Sequence, residues 1–290
     1  MVDEDREIVY TKNALKRGLF ASAKGLVAGG SWLANGISHA LKSVDPDVHR
    51  HLLQLPLLAN SLFTRKDSEV RPAEQDGRPP LVFVHGLGGN AGNFLAMSWL
   101  FWLSGRKRSY RVNFSSGLGI ERLAEQLVEY VFQVCEVNHE PEVDLVAHSL
   151  GGVVARLAIQ EMKLSDRVKN FICLGVPHGG TYPARYGNTE TLHDLRPNSK
   201  LVKRLNSVNV PPGVKTACLW SKNDLFVLPS ESACLDGALN LDMSPFTHYS
   251  YLLDPRSFEA VRYILEGKRY PYVATINQKK DTDSFHGPIE

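Results

Sequence analysis

The sequence predicts a doubly wound α/β fold with a mostly parallel sheet, because short apolar runs rich in β-branched residues alternate with stretches of helical periodicity. The runs expected to be strands are residues 81–84, 110–114, 143–147, 168–174, 214–220 and 238–241. The expected helices cover residues 120–135, 150–162 and 256–265. In the first of these helices the apolar residues recur on one face, which is typical of a helix packed against a sheet.

Composition divides the chain into three zones. We expect residues 1–80 to form a helical extension and a linker, since the segment is rich in Gly, Ala and Leu and ends in a polar stretch closed by Pro79-Pro80. Residues 81–270 carry the strand and helix pattern, with one lid-like insertion at residues 178–212. Residues 271–290 lack apolar periodicity and are expected to be a loose tail.

Composition and charge exclude several classes of protein. Lys and Arg total 33 against 31 Asp and Glu, a net charge of +2, so no nucleic-acid partner is expected. The four cysteines form no Cys-x-x-Cys pair, no apolar run reaches the roughly 18 residues of a membrane span, and the acidic start is unlike a secretory signal. We therefore expect a cytoplasmic protein, with membrane association as the alternative, and predict no cofactor and no metal.

The segment Val146-Ala-His-Ser-Leu-Gly-Gly152 lies between an expected strand and an expected helix. A nucleophilic serine on such a tight turn needs small residues two positions before and after it, and Ala147 and Gly151 meet that need. The helix behind Ser149 would direct its free N–H groups at the reaction centre. The spacing therefore predicts Ser149 as a nucleophile.

A serine needs a base, and the base needs a group that orients it. Asp224 comes just after an expected strand, and His248 lies in a later loop, so the chain order is Ser, Asp, His. Only His248 and His286 follow Asp224, and His286 lies in the expected tail. We predict His248 as the base and Asp224 as the acid, with Asp242 as the rival for the acid.

An oxyanion hole needs two backbone N–H groups. Leu150, which follows the serine directly, is the expected first donor. The loop His85-Gly-Leu-Gly-Gly89 follows the first expected strand, and its glycines allow a close approach to a substrate carbonyl. Leu87 in that loop is the expected second donor.

The loop at residues 85–89 and the turn at residues 146–152 together resemble those of the α/β-hydrolase fold, and within it the bacterial lipase and esterase group. The segment Leu174-Gly-Val-Pro-His-Gly-Gly-Thr181 and the segment Asp224-Leu-Phe-Val-Leu-Pro229 are also similar to that group. The resemblance covers about residues 80–267 and implies a Ser149–His248–Asp224 triad with Leu87 and Leu150 as oxyanion donors. Ala147 departs from the usual glycine, but a subset of small lipases shares this alanine.

The remaining histidines and cysteines have less specific interpretations. We expect His85 and His178 to hydrogen-bond loop backbone, and His148 to point away from the cleft. Cysteines 135, 173 and 218 fall on a helix and two central strands, where buried free thiols are expected, although the sequence leaves a disulfide open.

Two segments near the expected site allow alternative interpretations. The helical pattern at residues 191–206 is either a partial cover over an acyl pocket or a plain surface helix. The nearly continuous apolar segment at residues 93–103 lines an acyl channel, faces a lipid aggregate, or packs against the sheet.

Residues 8–44 have the pattern of a basic amphipathic helix, with five basic and no acidic residues. Five glycines would weaken such a helix by about 1 kcal/mol each, so it needs a surface to pack on. That surface is an anionic membrane, the chain's own core unit or a partner subunit. Peripheral membrane contact through residues 8–44 is therefore one of three alternatives, and the oligomeric state is not predicted.

These features predict a serine-dependent carboxylic ester hydrolase that acts through an acyl-enzyme on lipid or acyl esters. A thioesterase or an acyltransferase would use the same three residues. A non-catalytic lipid-binding scaffold is the alternative from another class, and it would have no need of all three residues together.

Overall fold

The computed structural model describes residues 70–115 and 117–271. The extension at residues 8–44, the rest of residues 1–69, and the tail from residue 272, which includes His286, lie outside the described residues. Among the described helices, none is long and apolar enough to cross a membrane.

Six parallel strands form one sheet in the order β2-β1-β3-β4-β5-β6. The strands are β1 Leu81–Val84, β2 Ser109–Arg111, β3 Val143–His148, β4 Val168–Leu174, β5 Lys215–Trp220 and β6 Leu239–Asp242. Strands β1 and β3 are buried along their whole length, which accounts for the continuous apolar sequence of β1 and for the apolar run at residues 145–147 of β3. The predicted doubly wound fold is confirmed, and the described sheet is entirely parallel.

Helices cover both faces of the sheet. They are α1 Leu95–Leu103, α2 Ile120–Asn138, α3 Leu150–Glu161, α4 Glu190–Asp194, α5 Lys200–Asn206, α6 Ser250–Leu253 and α7 Pro255–Leu265. Helices α2 and α3 pack together on one face, and α1, α6 and α7 pack on the other. Each face thereby has its own apolar core.

The chain leaves β1 for β2 on one side and returns to β3 on the other side of β1. In a doubly wound sheet the crevice at such a reversal, beyond the carboxyl ends of the strands, is where ligands bind. The loop after β1 begins at His85, and the turn after β3 holds Ser149. The topology alone therefore brings the two sequence motifs together.

The polar segment at residues 70–80, expected to be part of a linker, packs on the fold. The side chain of Val70 is buried in the core, Arg106 donates to the carbonyl of Pro79 at 2.8 Å, and Asp76 accepts from the N–H of Lys107 at 3.0 Å. Arg106 also pairs with the buried Asp144 at the start of β3. These contacts hold residues 70–80, which precede β1, against the rest of the fold.

The insertion contains two helices rather than one. Thr191 to Asn206 was expected to be a single helical pattern, but Pro197 and the left-handed Asn198, at φ 64°, interrupt it between α4 and α5. The apolar side of α5 is buried, and Arg156 of α3 donates to the carbonyl of Leu205 at 2.7 Å. These contacts favour a fixed surface helix over a movable cover.

Most of the apolar segment at residues 93–103 forms helix α1, which has one buried side and one exposed side. Met97 and Phe101 pack against the sheet with Phe94, as one of the alternatives expected. Trp99 and Trp102 lie on the opposite side, where they are 60% and 54% exposed. The segment is therefore part of the core on one face and an apolar surface on the other.

Candidate active site

Ser149 occupies the sharp turn between β3 and α3. Its backbone has φ 53° and ψ −129°, a conformation that costs a residue with a Cβ on the order of 1–3 kcal/mol. The surrounding fold holds this strain and leaves the hydroxyl at the carboxyl edge of the sheet. The turn expected from the spacing of small residues is present.

Close packing explains why small residues flank this serine. A Cβ added at Gly151 would clash with the carbonyl oxygen of His85 and lie 2.7 Å from that of Val84. A Cβ added at Gly86 would lie 2.9 Å from the Cβ of Ser149. The loop after β1 is therefore pressed directly against the serine.

The strain in this turn predicts a difference in stability between two variants at position 149. Glycine adopts φ near +53° without a steric penalty, whereas alanine retains the Cβ that causes the strain. We expect Ser149→Gly to have a free energy of unfolding about 1 kcal/mol higher than Ser149→Ala, measured by urea denaturation. Equal stabilities, or a less stable glycine variant, would show that the strain does not exceed the entropy that glycine adds to the unfolded chain.

His248 connects Ser149 to Asp224. Its Nε2 lies 3.0 Å from the Ser149 Oγ, and its Nδ1 lies 2.8 Å and 3.0 Å from the two carboxylate oxygens of Asp224. Asp224 is 1% exposed and His248 is 4% exposed. The Oδ1 of Asp224 also accepts the N–H of Phe226 at 3.0 Å, which orients the carboxylate.

The rival carboxylate, Asp242, has other partners. It lies at the end of β6, and its Oδ1 accepts from the backbone N–H of Ser244 at 2.9 Å and from the Ser244 hydroxyl. Its Oδ2 is 3.7 Å from the Nζ of Lys222. The structure thus brings Asp224, rather than Asp242, to His248.

The two backbone N–H groups expected to form the oxyanion hole are those of Leu150 and Leu87. Leu150 is the first residue of α3, so its N–H has no acceptor within the helix. Leu87 follows Gly86, the residue whose Cα is packed on Ser149. In the part of the chain that the structure describes, neither N–H donates to a backbone carbonyl. Both expected donors therefore remain available for a ligand.

His148 takes part in the site in a way that the sequence did not predict. Its Nε2–H donates to the carbonyl of His248 at 2.9 Å, and the two imidazole rings are 4.6 Å apart. Burial, together with the nearby His248, lowers the pKa of His148 well below its ordinary value. A neutral His148 therefore holds the backbone of His248 without adding positive charge beside it. The expectation that His148 simply points away from the cleft is incomplete.

The two remaining histidines of the sequence motifs differ from each other. His85 contacts loop backbone as expected: its Nδ1 lies 3.0 Å from the carbonyl of Gly86, and its Nε2 accepts the N–H of Phe114 at 3.4 Å. His178 does not, because its Nε2 lies 3.6 Å from the Sγ of Cys218. The expectation for the ring of His178 is therefore wrong.

One aromatic side chain stacks on the base, and an exposed leucine lies in the loop that packs against the serine. Phe226 is 38% exposed and stacks on His248 with ring centroids 5.0 Å apart, and Leu87 is 55% exposed. Sequence reasoning missed Phe226, although its position two residues after the acid was a usable signal. These two residues give the site an apolar rim.

Comparison with known proteins gives a family match for the part of the chain from β1 to β5. Residues 80–223, about half of the chain, match the model of the palmitoyl protein thioesterase family. A GPI inositol-deacylase of Candida albicans is 26% identical over 202 residues, which cover 57% of this chain and 50% of that protein. The chain thus spans about half the length of this curated relative.

Solved structures share the fold. A lipase of Bacillus licheniformis in its propeptide form has a TM-score of 0.61 at 21% identity, covering 73% of this chain and 54% of that one. Lipase B of Aspergillus fumigatus has a TM-score of 0.60 at 18% identity, covering 68% of this chain and 55% of that one. These likenesses show that the chain has the α/β-hydrolase fold, and residues 80–223 are similar to the palmitoyl protein thioesterase family.

Proposed function

We propose that the protein hydrolyses carboxylic esters of long acyl chains, with Ser149 as the nucleophile. The observation that carries the proposal is the continuous hydrogen-bonded series from the Ser149 hydroxyl through His248 to the Asp224 carboxylate. A structural role alone would not require a strained serine, a buried imidazole and a buried carboxylate in this order.

The hydrogen bonds favour one tautomer of the proposed base. A carboxylate only accepts hydrogen bonds, so the Nδ1 of His248 carries the proton that Asp224 receives. The Nε2 is then free to accept the hydroxyl proton of Ser149. This is the protonation state that a general base needs before the serine attacks.

The reaction follows from these positions. As the Ser149 Oγ bonds to the ester carbonyl carbon, its proton moves to the Nε2 of His248, and the N–H groups of Leu87 and Leu150 stabilise the oxyanion. His248 then protonates the leaving alcohol, and the C–O bond breaks to leave an acyl-enzyme. Water, deprotonated by the same imidazole, releases the acid and restores Ser149.

Lipid or acyl substrates are supported by the apolar rim and by the relatives. Leu87 and Phe226 present apolar surface beside the nucleophile and the base, where an acyl chain would lie. The matched family is named for palmitoyl protein thioesterase, and the curated relative is a deacylase. The family match favours a second candidate activity, thioester hydrolysis by the same residues.

A matched pair of substrates separates the two activities. We expect the protein to hydrolyse p-nitrophenyl esters with a preference for long over short acyl chains, because each additional buried CH₂ contributes about 0.8 kcal/mol. Palmitoyl-CoA, measured beside p-nitrophenyl palmitate, gives the ratio of kcat/KM for the thioester and the oxyester.

Ser149→Ala is the control for both substrates. A larger kcat/KM for palmitoyl-CoA would make the protein a thioesterase. A preference for acetyl esters would contradict the acyl-chain assignment. Failure to hydrolyse any ester or thioester would favour the non-catalytic lipid-binding alternative.

A further inference from the structure

Three metal-binding side chains meet on the α2–α3 side of the sheet. They are Cys173 in β4, Cys218 in β5, and His178 in the loop that follows β4. None is more than 3% exposed, and their candidate ligand atoms all lie within 4.8 Å of one another. The proposed hydrolysis uses none of them.

Strand register and a tight turn create this cluster. Cys173 and Cys218 are directly paired between the neighbouring parallel strands, so their side chains emerge on the same face of the sheet. Gly175, at φ 54°, turns the chain where a Cβ would lie 2.6 Å from the ring of Tyr251. The loop then brings the ring of His178 over the two thiols.

The distances suit a metal ion. With metal–sulfur bonds of about 2.3 Å and metal–nitrogen bonds of about 2.0–2.1 Å, tetrahedral angles separate a sulfur and a nitrogen ligand by about 3.6 Å. The Nε2 of His178 lies 3.6 Å from the Sγ of Cys218. The protein therefore holds this pair of ligand atoms at the required separation.

A hydrogen bond from thiol to imidazole would give a similar distance, so a second observation is needed. The Nδ1 of His178 is buried and has no hydrogen-bond partner among the described residues. An unsatisfied buried polar atom costs about 1–3 kcal/mol. Nδ1 therefore does not hold the ring, and among the described residues the ring's hydrogen-bonding contact is the one from Nε2 to the sulfur of Cys218.

The nearby Arg156 would partly balance the negative charge of metal-bound thiolates. Its guanidinium is 1% exposed, interacts electrostatically with both thiols, and donates to Asn206 and to the carbonyl of Leu205. No carboxylate pairs with it in the residues that the structure describes. Two thiolates, one guanidinium and a monovalent cation sum to zero charge, whereas a divalent cation leaves a charge of +1.

We propose that Cys173, His178 and Cys218 form a buried site for a thiophilic closed-shell metal ion, Cu⁺ or Zn²⁺, bound by two thiolates and one imidazole. Binding forms two metal–sulfur bonds and one metal–nitrogen bond and releases the thiol protons to solvent, with no change of oxidation state. The ion would fasten β4, β5 and the loop between them. Because Asp224 follows β5, a bound ion would stabilise the strand that positions Asp224.

Because the three side chains are at most 3% exposed, we expect the metal to enter as the chain folds. The test uses the full, untagged chain, expressed in medium supplemented with either a zinc salt or a copper salt and purified with a reductant that keeps copper as Cu⁺. Metal per chain is then measured by plasma mass spectrometry. We expect stoichiometric metal in one of the two preparations, and the preparation that retains it identifies the ion.

Cysteine variants supply the matched comparison. The metal affinity of Cys218→Ala and of Cys173→Ala should fall by at least about tenfold, because loss of even an outer-shell partner lowers the affinity by that factor. Cys135→Ala is the control, because Cys135 is also a buried free cysteine but lies in α2 outside the cluster. X-ray absorption of the wild-type protein at the metal edge should show sulfur and nitrogen ligands even if a variant fails to fold.

Three results would overturn the proposal. The first is wild-type protein without stoichiometric metal in both media. The second is equal metal content in Cys218→Ala and Cys135→Ala. The third is a Cys173–Cys218 disulfide, seen as the loss of two hydrogens from the intact mass. None of these results bears on ester hydrolysis, so this proposal fails or stands independently of the proposed function.

Discussion

Replacing Ser149 by alanine is expected to lower kcat for ester hydrolysis by at least about 10⁴-fold while the protein remains folded. The substitution removes the Oγ that lies 3.0 Å from the Nε2 of His248 and keeps the Cβ of the turn. Because the nucleophile itself is lost, no acyl-enzyme can form. The measurement is the steady-state hydrolysis of a p-nitrophenyl ester, with circular dichroism as the check on folding.

The variant also separates chemistry from binding. KM should change little, because the apolar rim of Leu87 and Phe226 is unaltered. If Ser149→Ala retained turnover close to that of the wild type, a different residue would have to be the nucleophile. The roles proposed for His248 and Asp224 would then have no support.

Asp224→Asn is expected to lower kcat by about 10³- to 10⁴-fold. An asparagine can present its N–H₂ group to the imidazole, which favours the tautomer with the proton on Nε2, and that nitrogen then cannot accept the Ser149 proton. The buried position of Asp224, at 1% exposure, prevents water from replacing the carboxylate. Measured kcat values at several pH values test this prediction.

Asp242→Asn is the matched control for the acid. Asp242 also lies at a strand end at the same edge of the sheet, but its hydrogen bonds go to Ser244. We therefore expect kcat close to that of the wild type. If Asp242→Asn were the damaging change and Asp224→Asn the neutral one, the acid would have to be reassigned.

The strands and the nucleophile turn could be predicted from the sequence because their signals are local. Residues 81–84 are a continuous apolar run and form a strand with the expected bounds. The small residues around Ser149 are required by contacts within the same turn and with the loop after β1. The small residues lie within a few positions of the serine, so their pattern is visible in the order of the amino acids even though some of their contacts are with the loop after β1.

The partners of buried polar side chains could not be predicted in the same way. Asp224 and Asp242 both lie at or just after strand ends, and only the path of the loops decides which of them reaches His248. The ring of His178 meets Cys218 because β4 and β5 pair in one particular register. Register between strands distant in the sequence depends on the packing of the whole sheet.

The most direct test of the account is to find which residue forms the covalent intermediate. A fluorophosphonate transfers its phosphoryl group to an activated serine with loss of fluoride, so intact-mass and peptide mass spectrometry can locate the adduct. We predict one adduct per chain, on Ser149, in the wild-type protein, none in Ser149→Ala, and much slower labelling in Asp224→Asn. An adduct on another residue, or equal labelling of Ser149→Ala, would contradict the central claim that Ser149 is the nucleophile.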